Sequence, residues 1–371
     1  MREGVLAIVR SLDSMRVAHF YKDAFPPIFG GIEQHVAMLA EMQQAAGWDV
    51  EIIAAGARRA TRERLPNGVV IQRLGEVGRF ASSPVTLAFM GAACRARVDI
   101  AHFHHPNPIG EVAEPLLSRA TRRVMSYHAD ITRQRALGAI YRPILRRILS
   151  HMDAVIVGSK TMLHSSPMLA NLHDVAHVIP YGVRPMPSAF VPREPRTFLF
   201  VGRLRRYKGL PVLLHALVRT SGLSLRVVGS GPVETELAQL CGSLGLSSRV
   251  TFLGDLPDAE LDREYRSACA LVLPSIDRSE AFGLVLAEAL SRGTPCISTE
   301  VGTATSWVNL HGQSGLVVGP SDPEALGRAM ELMAGDGDMW RRLSAGATDR
   351  AQMFTATSMT NATLTLYDSL T

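Results

Sequence analysis

Cysteine is scarce. Four occur in 371 residues, at 94, 241, 269 and 296, with no CxxC spacing and so no disulfide framework to read. Each lies in or beside an apolar run, and buried free thiols in a reducing compartment are expected. No stretch reaches the roughly 18 uninterrupted apolar residues of a spanning helix. The start, MREGVLAIVRSLDS, is broken by Arg10 and Asp13, and its apolar core is too short for a signal peptide. Aromatics are only 6% and do not interleave with the arginines as stacking platforms, which argues against a nucleic-acid partner. Short repeats, low-complexity segments and an obvious carboxylate dyad are also missing.

What is present is a packed globular chain, 47% apolar and 20% charged, long enough for two domains. The net charge of +5 is lopsided: residues 1–185 hold 22 Lys/Arg against 15 Asp/Glu, and residues 186–371 hold 17 against 19. An anionic partner is expected for the first half. Met15 opens MRVAHFYKDAF, a first strand that needs nothing before it. Residues 1–14 are therefore expected to be a mis-assigned start or a loose tail.

The second half alternates strand-like runs with helical patterns: Phe198–Val201 and Leu210–Arg219, Leu225–Val228 and Val233–Leu244, Val250–Leu253 and Ala259–Ala268, Leu271–Leu273 and Leu284–Ser291, then Cys296–Ser298. Near-continuous apolar strands between helices mean parallel βαβ units. The first half repeats this less cleanly, with strands expected at Val17–Tyr21, Val50–Ala54, Val69–Leu74, Asp99–His104, Arg123–Tyr127, Ala154–Val157 and Val178–Ile179. A helix is expected over Gly31–Ala46. Pro185, Pro187, Pro192 and Pro195 form a stiff linker and natural hinge. The fold class is thus α/β, two Rossmann-like doubly wound domains facing across a cleft. The expected domains are 1–188, 189–350, and a final helix, 351–371, returning to the first.

Two segments carry chemistry. In Gly202-Arg203-Leu-Arg-Arg-Tyr-Lys208-Gly209 a basic loop follows a strand, and Arg203 and Lys208 can hang over its carboxyl end to bind a diphosphate. In Pro274-Ser-Ile-Asp-Arg-Ser-Glu280-Ala-Phe-Gly283-Leu-Val-Leu-Ala-Glu288 a helix begins near Gly283, and its first amides form an anion site. Glu280 can accept sugar hydroxyls there. Glu288 sits in an apolar stretch, where a carboxylate needs a partner. A capping role for Glu280 and a solvated place for Glu288 are the plainer alternatives.

These motifs, with Val228-Gly-Ser-Gly-Pro232, Val178-Ile-Pro-Tyr-Gly-Val183, Gly30-Gly31-Ile-Glu33 and Ser126-Tyr-His128-Ala-Asp, resemble glycosyltransferase family 4, retaining enzymes of the GT-B fold. The resemblance spans about residues 15–370 and implies roles. Arg203, Lys208, Gly30, Gly31, Gly283 and Leu284 would bind the donor diphosphate. Glu280 and His128 would meet the transferred sugar, as catalytic residues. Glu288 and Leu256 would hold the nucleoside. Such chemistry uses a nucleoside diphosphate sugar as co-substrate, with no cofactor and no metal. The segment Glu300-Val-Gly302-Thr303 to Gly312, with His19-Phe-Tyr-Lys22, is similar to mannose- and rhamnose-adding enzymes of lipopolysaccharide O-antigen assembly. It implies a GDP-linked donor, and it departs from many relatives in having Ala304 where a second glycine stands.

Further expectations rest on placement alone. His102, His104, His105 and Asn107 end a strand and are expected to border the acceptor region, His104 and Asn107 above all, rather than to hold metal. Asp336-Gly-Asp338 is expected to be a solvated loop. Eight arginines, 119, 122, 123, 133, 135, 142, 146 and 147, face one acid, Asp130, over residues 115–150. With Leu137, Tyr141, Ile144, Leu145 and Ile148 they suggest an amphipathic surface for an anionic membrane, kinked or restarted at Pro143. The expected location is the cytoplasm, at the inner face of the membrane. A GT-B epimerase or phosphorolytic enzyme is the main alternative. An NAD-linked oxidoreductase rests only on Gly229-Ser-Gly231, since Glu234 replaces the third glycine.

Overall fold

The computed structural model describes residues 14–28, 30–57, 59–80, 83–131, 135–184 and 190–371. The expectation about residues 1–14 falls, but for Ser14, outside the described residues, as do Pro185 and Pro187 of the linker.

The first sheet has eight strands: β1 (Arg16–Tyr21), β2 (Asp49–Ala57), β3 (Thr61–Arg64), β4 (Val70–Gly75), β7 (Ile100–His105), β8 (Arg122–Tyr127), β9 (Ala154–Val157) and β10 (Ala176–Val178). A separate hairpin is made by β5 (Gly78–Phe80) and β6 (Ser83–Val85). The order is β10-β9-β8-β7-β1-β2-β4-β3, with β3 antiparallel to β4. Helices α1 (Gly31–Ala45), α2 (Ala88–Arg95), α3 (Pro108–Glu111), α4 (Arg135–Leu149) and α5 (Lys160–Ser165) join these strands.

The second sheet has β11 (Glu194–Val201), β12 (Ser224–Val228), β13 (Val250–Gly254), β14 (Ala268–Leu273), β15 (Cys296–Thr299) and β16 (Gly315–Val318), in the order β13-β12-β11-β14-β15-β16. Each strand runs parallel to its neighbours. This is the doubly wound order, and its topological switch point lies between β11 and β14. Helices α6 (Leu210–Val218), α7 (Glu234–Ser243), α8 (Asp258–Ser267), α9 (Leu284–Leu290), α10 (Thr305–Val308), α11 (Pro323–Gly335), α12 (Gly337–Ala351) and α13 (Ala356–Leu370) complete the chain. Along β11, Phe198 and Phe200 enter one core cluster, while Leu199 and Val201 enter another. Burial on both faces explains why the strand reads as an unbroken apolar run.

The chain divides into two compact units, Met1–Ile156 with Leu172–His177 and Thr360–Thr371, and Val157–Asn171 with Val178–Met359. A boundary at 188/189 therefore places 157–171 and 178–188 with the wrong partner. The reason is local packing. Gly158 lies against Tyr181 and Phe282, and Arg278 donates to Ser165, so this segment is held by the second unit. The second unit also keeps the chain as far as Met359, and Thr360–Thr371 belong to the first.

Among the cysteines, Cys241, Cys269 and Cys296 are buried and free, but Cys94 is exposed, contrary to expectation. It falls on the solvent side of α2, whose buried residues are Phe89, Ala92 and Ala93. No helix of the described residues is long and apolar enough to cross a membrane.

Candidate functional site

At the switch point of the second unit two loops meet. After β11 the chain forms a short turn, Arg206–Lys208, closed by Gly209 in the left-handed region at φ 70°. A Cβ on Gly209 would overlap the Pro274 carbonyl oxygen beyond β14. The Ile276 amide donates to the Tyr207 carbonyl at 2.9 Å, stitching the loops together. That contact brings Lys208 Nζ to 2.6 Å from Glu280 Oε2, with both residues more than nine-tenths buried. Ser275 Oγ donates to the same oxygen at 3.1 Å. Burial opposes the Lys208 charge, but the Glu280 carboxylate outweighs it and holds the lysine above its ordinary pKa.

The Glu280 loop is fastened from behind. Thr303 Oγ1 donates to the Glu280 carbonyl at 2.6 Å, and the Ala304 amide to Ala281 at 3.1 Å. Neither supporting role, that of Ser275 or that of Thr303, is readable from sequence, because a lone hydroxyl in a loop carries no periodic signal. Arg203 is exposed and, among the described residues, makes no hydrogen bond or ion pair. Arg206 instead pairs with Glu236 on the surface at 2.9 Å.

Gly283 precedes α9 and, having no side chain, cannot cap it; within the first turn the Leu286 amide donates to the Gly283 carbonyl at 2.8 Å, and no side chain caps the Leu284 amide. Glu288 lies in the second turn, half-buried, and its partner is Tyr265, whose hydroxyl donates to Oε2 at 2.5 Å. Leu256 packs partly buried against the cluster behind α9. Gly229 and Gly231 are accounted for by packing: a Cβ on either would strike the backbone of Gly202 or Leu204. The main support for a dinucleotide loop is thereby removed.

In the first unit Gly30 precedes α1 in an extended conformation, and Gly31 is the helix's first residue. Glu33, buried, folds back so that a Cβ on Gly30 would collide with its carboxylate. The helix start thus carries a protein carboxylate where an anion is expected. His128 follows β8, almost fully buried, and its amide donates to the His105 carbonyl at 3.2 Å.

His128 belongs to a row of imidazoles. Gln43 Oε1 is 2.7 Å from His19 Nε2, His19 Nδ1 is 3.0 Å from His104 Nε2, and His104 Nδ1 is 2.9 Å from His128 Nε2. His102 lies alongside, bonded to Ser126 Oγ at 2.8 Å and to the Tyr367 hydroxyl at 2.5 Å. Burial pushes His19 down to about 4 and His35 to about 3, and holds His102, His104 and His128 well below the ordinary value. His104 is therefore no acceptor contact: it is fully buried and both ring nitrogens are engaged. Asn107 is buried too, and its Oδ1 caps α3 by accepting from Gly110. Glu111, also buried, accepts from His105 Nδ1 at 3.0 Å and from the Tyr141 hydroxyl at 2.5 Å. Among the described residues, His105 Nε2 and Asn107 Nδ2 have no hydrogen-bond partner.

Two histidine groups could hold a metal, His19 with His102 and His104, and His35 with His104 and His128. The close nitrogen pairs within them stand at hydrogen-bond distance, one lone pair facing one N–H. Asp336 caps α12 by accepting from the amides of Asp338 and Met339, so the Asp-Gly-Asp stretch is a helix start rather than a free loop.

The arginine-rich region is smaller as a free surface than expected. Arg123 pairs with Glu114 at 2.5 Å and Arg122 with Asp153 at 3.3 Å, acids just outside residues 115–150. Arg133 lies outside the described residues. Helix α4 runs through Pro143 without restarting. It exposes Arg142, Arg146 and Arg147 beside Ile140, 70% exposed, and Ile144, 44% exposed.

Known proteins share both the sequence and this architecture. Residues 29–186 match the family model described as Glycosyltransferase Family 4, and residues 186–350 the one described as Glycosyl transferases group 1. The chain is 35% identical over 362 residues to a D-rhamnosyltransferase of Pseudomonas aeruginosa, covering 92% of this chain and 93% of that one. It is 32% identical over 368 residues to O-antigen chain mannosyltransferase C of Escherichia coli, covering 96% and 99%. Among solved structures, sucrose-phosphate synthase from Thermosynechococcus elongatus superposes with a TM-score of 0.80 at 22% identity, over 96% of this chain and 99% of that one. Anabaena HepE in complex with UDP-glucose gives 0.74 at 16%, over 96% and 100%.

Proposed function

The chain belongs to glycosyltransferase family 4, and from that premise we propose that it is a retaining hexosyltransferase moving a mannose- or rhamnose-like residue from a GDP-linked donor to a glycan or lipid-linked acceptor in cell-surface polysaccharide synthesis. Its two doubly wound units are the Rossmann-like domains of the GT-B fold. The relatives named for rhamnose and O-antigen mannose transfer support the choice of sugar and pathway.

One observation carries the reading: the buried Lys208–Glu280 pair at the switch point, with unpartnered Arg203 beside it on the same loop. A donor diphosphate takes Arg203 as a bidentate partner and shares the Lys208 charge. Glu280, relieved of its lysine, accepts hydroxyl hydrogens from the sugar. The uncapped amides of Gly283 and Leu284 receive phosphate oxygens, and Glu288 and Leu256 hold the nucleoside. Gly30, Gly31 and His128 carry the family's remaining donor contacts, which requires Glu33 to swing off the α1 start.

Transfer then needs no protein nucleophile. The bond from the sugar's anomeric carbon to the diphosphate breaks as the acceptor hydroxyl oxygen bonds to that carbon on the same face. The hydroxyl proton passes to the departing diphosphate oxygen. Lys208, kept protonated, and Arg203 stabilise the charge on the leaving group, which is the largest contribution the site makes. The exposed basic and apolar face of α4 supports docking on an anionic membrane surface, where a lipid-linked acceptor resides.

A thermal-shift series with GDP-mannose, GDP, UDP-glucose and UDP tests the core of this. A ligand at 100 times its Kd adds about 2.7 kcal/mol of stability. Stabilisation by the GDP ligands, abolished in Arg203→Ala, is expected. Silence with every nucleotide overturns the donor reading, and stabilisation by uridine ligands alone overturns its nucleotide.

A further inference from the structure

The first unit holds a groove toward the amino ends of β1, β2 and β4, whereas His128 follows the carboxyl end of β8. Its volume is about 410 Å³, the size of a small-molecule site. Every second residue lines it, Glu51 and Ile53 on β2, Val70 and Gln72 on β4, Arg62 and Arg64 on β3, so its floor is one face of the sheet. Helix α2 closes the side through Ala92, Arg95 and Ala96. Five arginines line the groove, the three others being Arg16 at the start of β1, Arg95, and Arg97 just beyond α2. Only two acids do, Asp49 and Glu51.

Strand alternation places the arginines. On β3, Arg62 and Arg64 share the groove face, and Glu63 on the other face pairs with Arg73. Arg62 meets Glu51 at 3.0 Å, and Arg16 turns to Asp99, its amide donating to Oδ2 at 2.8 Å. The remaining three have no carboxylate. Arg64 donates to the Gly68 carbonyl at 2.7 Å, and Arg97 to the carbonyls of Cys94 and Ala96 at 3.2 Å. Arg95 is exposed and, among the described residues, makes no hydrogen bond or ion pair. Guanidinium groups on both sides of a concave, partly apolar floor repel one another and focus positive potential between them. A phosphate relieves that repulsion and takes an arginine fork in two hydrogen bonds. On the floor, half-buried Gln72 has no hydrogen-bond partner among the described residues, and Glu51 engages Arg62 through Oε1. An amide that donates and accepts, beside a carboxylate that accepts, suits hydroxyl groups.

We propose that this groove is a binding site for a phosphorylated sugar, separate from the donor loops. The phosphate lies among Arg64, Arg95 and Arg97, and the sugar hydroxyls meet Gln72 and Glu51. All the lining residues belong to the first unit, so the site stands apart from the donor reading and does not depend on it.

Isothermal titration with mannose 6-phosphate, inorganic phosphate and mannose at low salt tests the proposal. The full chain carries Arg203→Ala throughout, so that the loops proposed for the donor are weakened. Mannose 6-phosphate should bind with one equivalent and mannose should not. Adding Arg64→Glu and Arg95→Glu, both exposed side chains, should weaken mannose 6-phosphate by about tenfold or more. Arg95→Ala removes no bond within the protein and should weaken it by about threefold or more, which keeps the test open if the double reversal does not fold. No binding, or binding that neither variant weakens, overturns the site.

The sugar is tested separately. Gln72→Leu should weaken mannose 6-phosphate by roughly fivefold, the worth of one hydrogen bond, and leave inorganic phosphate unchanged. An equal effect on both ligands, or on neither, overturns the saccharide assignment. Sedimentation with phosphatidylglycerol vesicles separates a lipid source of phosphate. Vesicle binding that falls in Arg95→Ala, with no binding of mannose 6-phosphate, would give the groove to a lipid headgroup and overturn the proposal.

Discussion

Gly209 shows how one residue without a side chain can place two that have them. Its left-handed backbone and the absent Cβ let the Lys208 loop lie on Pro274, which aligns Lys208 with Glu280. Gly209→Ala adds a methyl where the Pro274 carbonyl stands, in a conformation that disfavours it. The variant should lose about 2 kcal/mol or more of stability by urea unfolding, and transfer activity should fall further than the folded fraction does. His19 and His35 titrate near 4 and 3 when folded, against 6.5 in the unfolded chain. Between pH 6.5 and about 4 the unfolded state binds more protons, so stability falls as pH falls. Each tenfold difference in proton affinity between the two states is worth about 1.4 kcal/mol. His102, His104 and His128 are displaced in the same direction. Urea midpoints should therefore drop steeply from pH 7 to pH 5, and a flat profile would show that these rings are hydrated.

Among the elements, α4 carries the membrane argument. With Arg122 and Arg123 tied to acids, its own exposed Arg142, Arg146 and Arg147 are what an anionic surface can use. At about 1 kcal/mol each, reversing all three to Glu should weaken sedimentation with phosphatidylglycerol vesicles by roughly 100-fold or more in low salt. Equal binding by the triple variant would place the membrane contact elsewhere. Elements also differ in how plainly the sequence announces them. Strands buried on both faces, such as β11 and β14, read as apolar runs, and the loops proposed to bind phosphate follow from their carboxyl ends. By contrast β3, Thr-Arg-Glu-Arg with every residue exposed, has no alternation to read and exists through pairing with β4. The histidine row is hidden for a related reason. Residues 19, 104 and 128 are distant in sequence, and only sheet register shows that they touch. Pro143 suggests a break that does not occur, because a proline costs a helix one hydrogen bond and an exposed turn of α4 lets water replace it.

At the scale of the whole molecule the chain's last helix decides how separable the units are. Thr360–Thr371 belong to the first unit although residues 178–359 build the second. Tyr367 is fully buried there, its ring 5.5 Å from Trp48 and its hydroxyl on His102, and Leu366, Thr363 and Thr360 are buried alongside. Removing Tyr367 and Leu366 alone forfeits about 1.5–3 kcal/mol of apolar burial each. It also strips a hydrogen bond from buried His102. That sum approaches the whole stability of an ordinary domain. Ending the chain at Met359 should accordingly melt the first unit early in calorimetry. The residues proposed to bind the nucleotide all lie in the second unit apart from Gly30, Gly31 and His128, so a second transition should persist and still rise when GDP is added. Loss of the GDP-responsive transition together with the first would mean that the second unit does not hold its site alone. The phosphate contacts proposed for Arg203, Lys208 and the start of α9 would then be insufficient for binding.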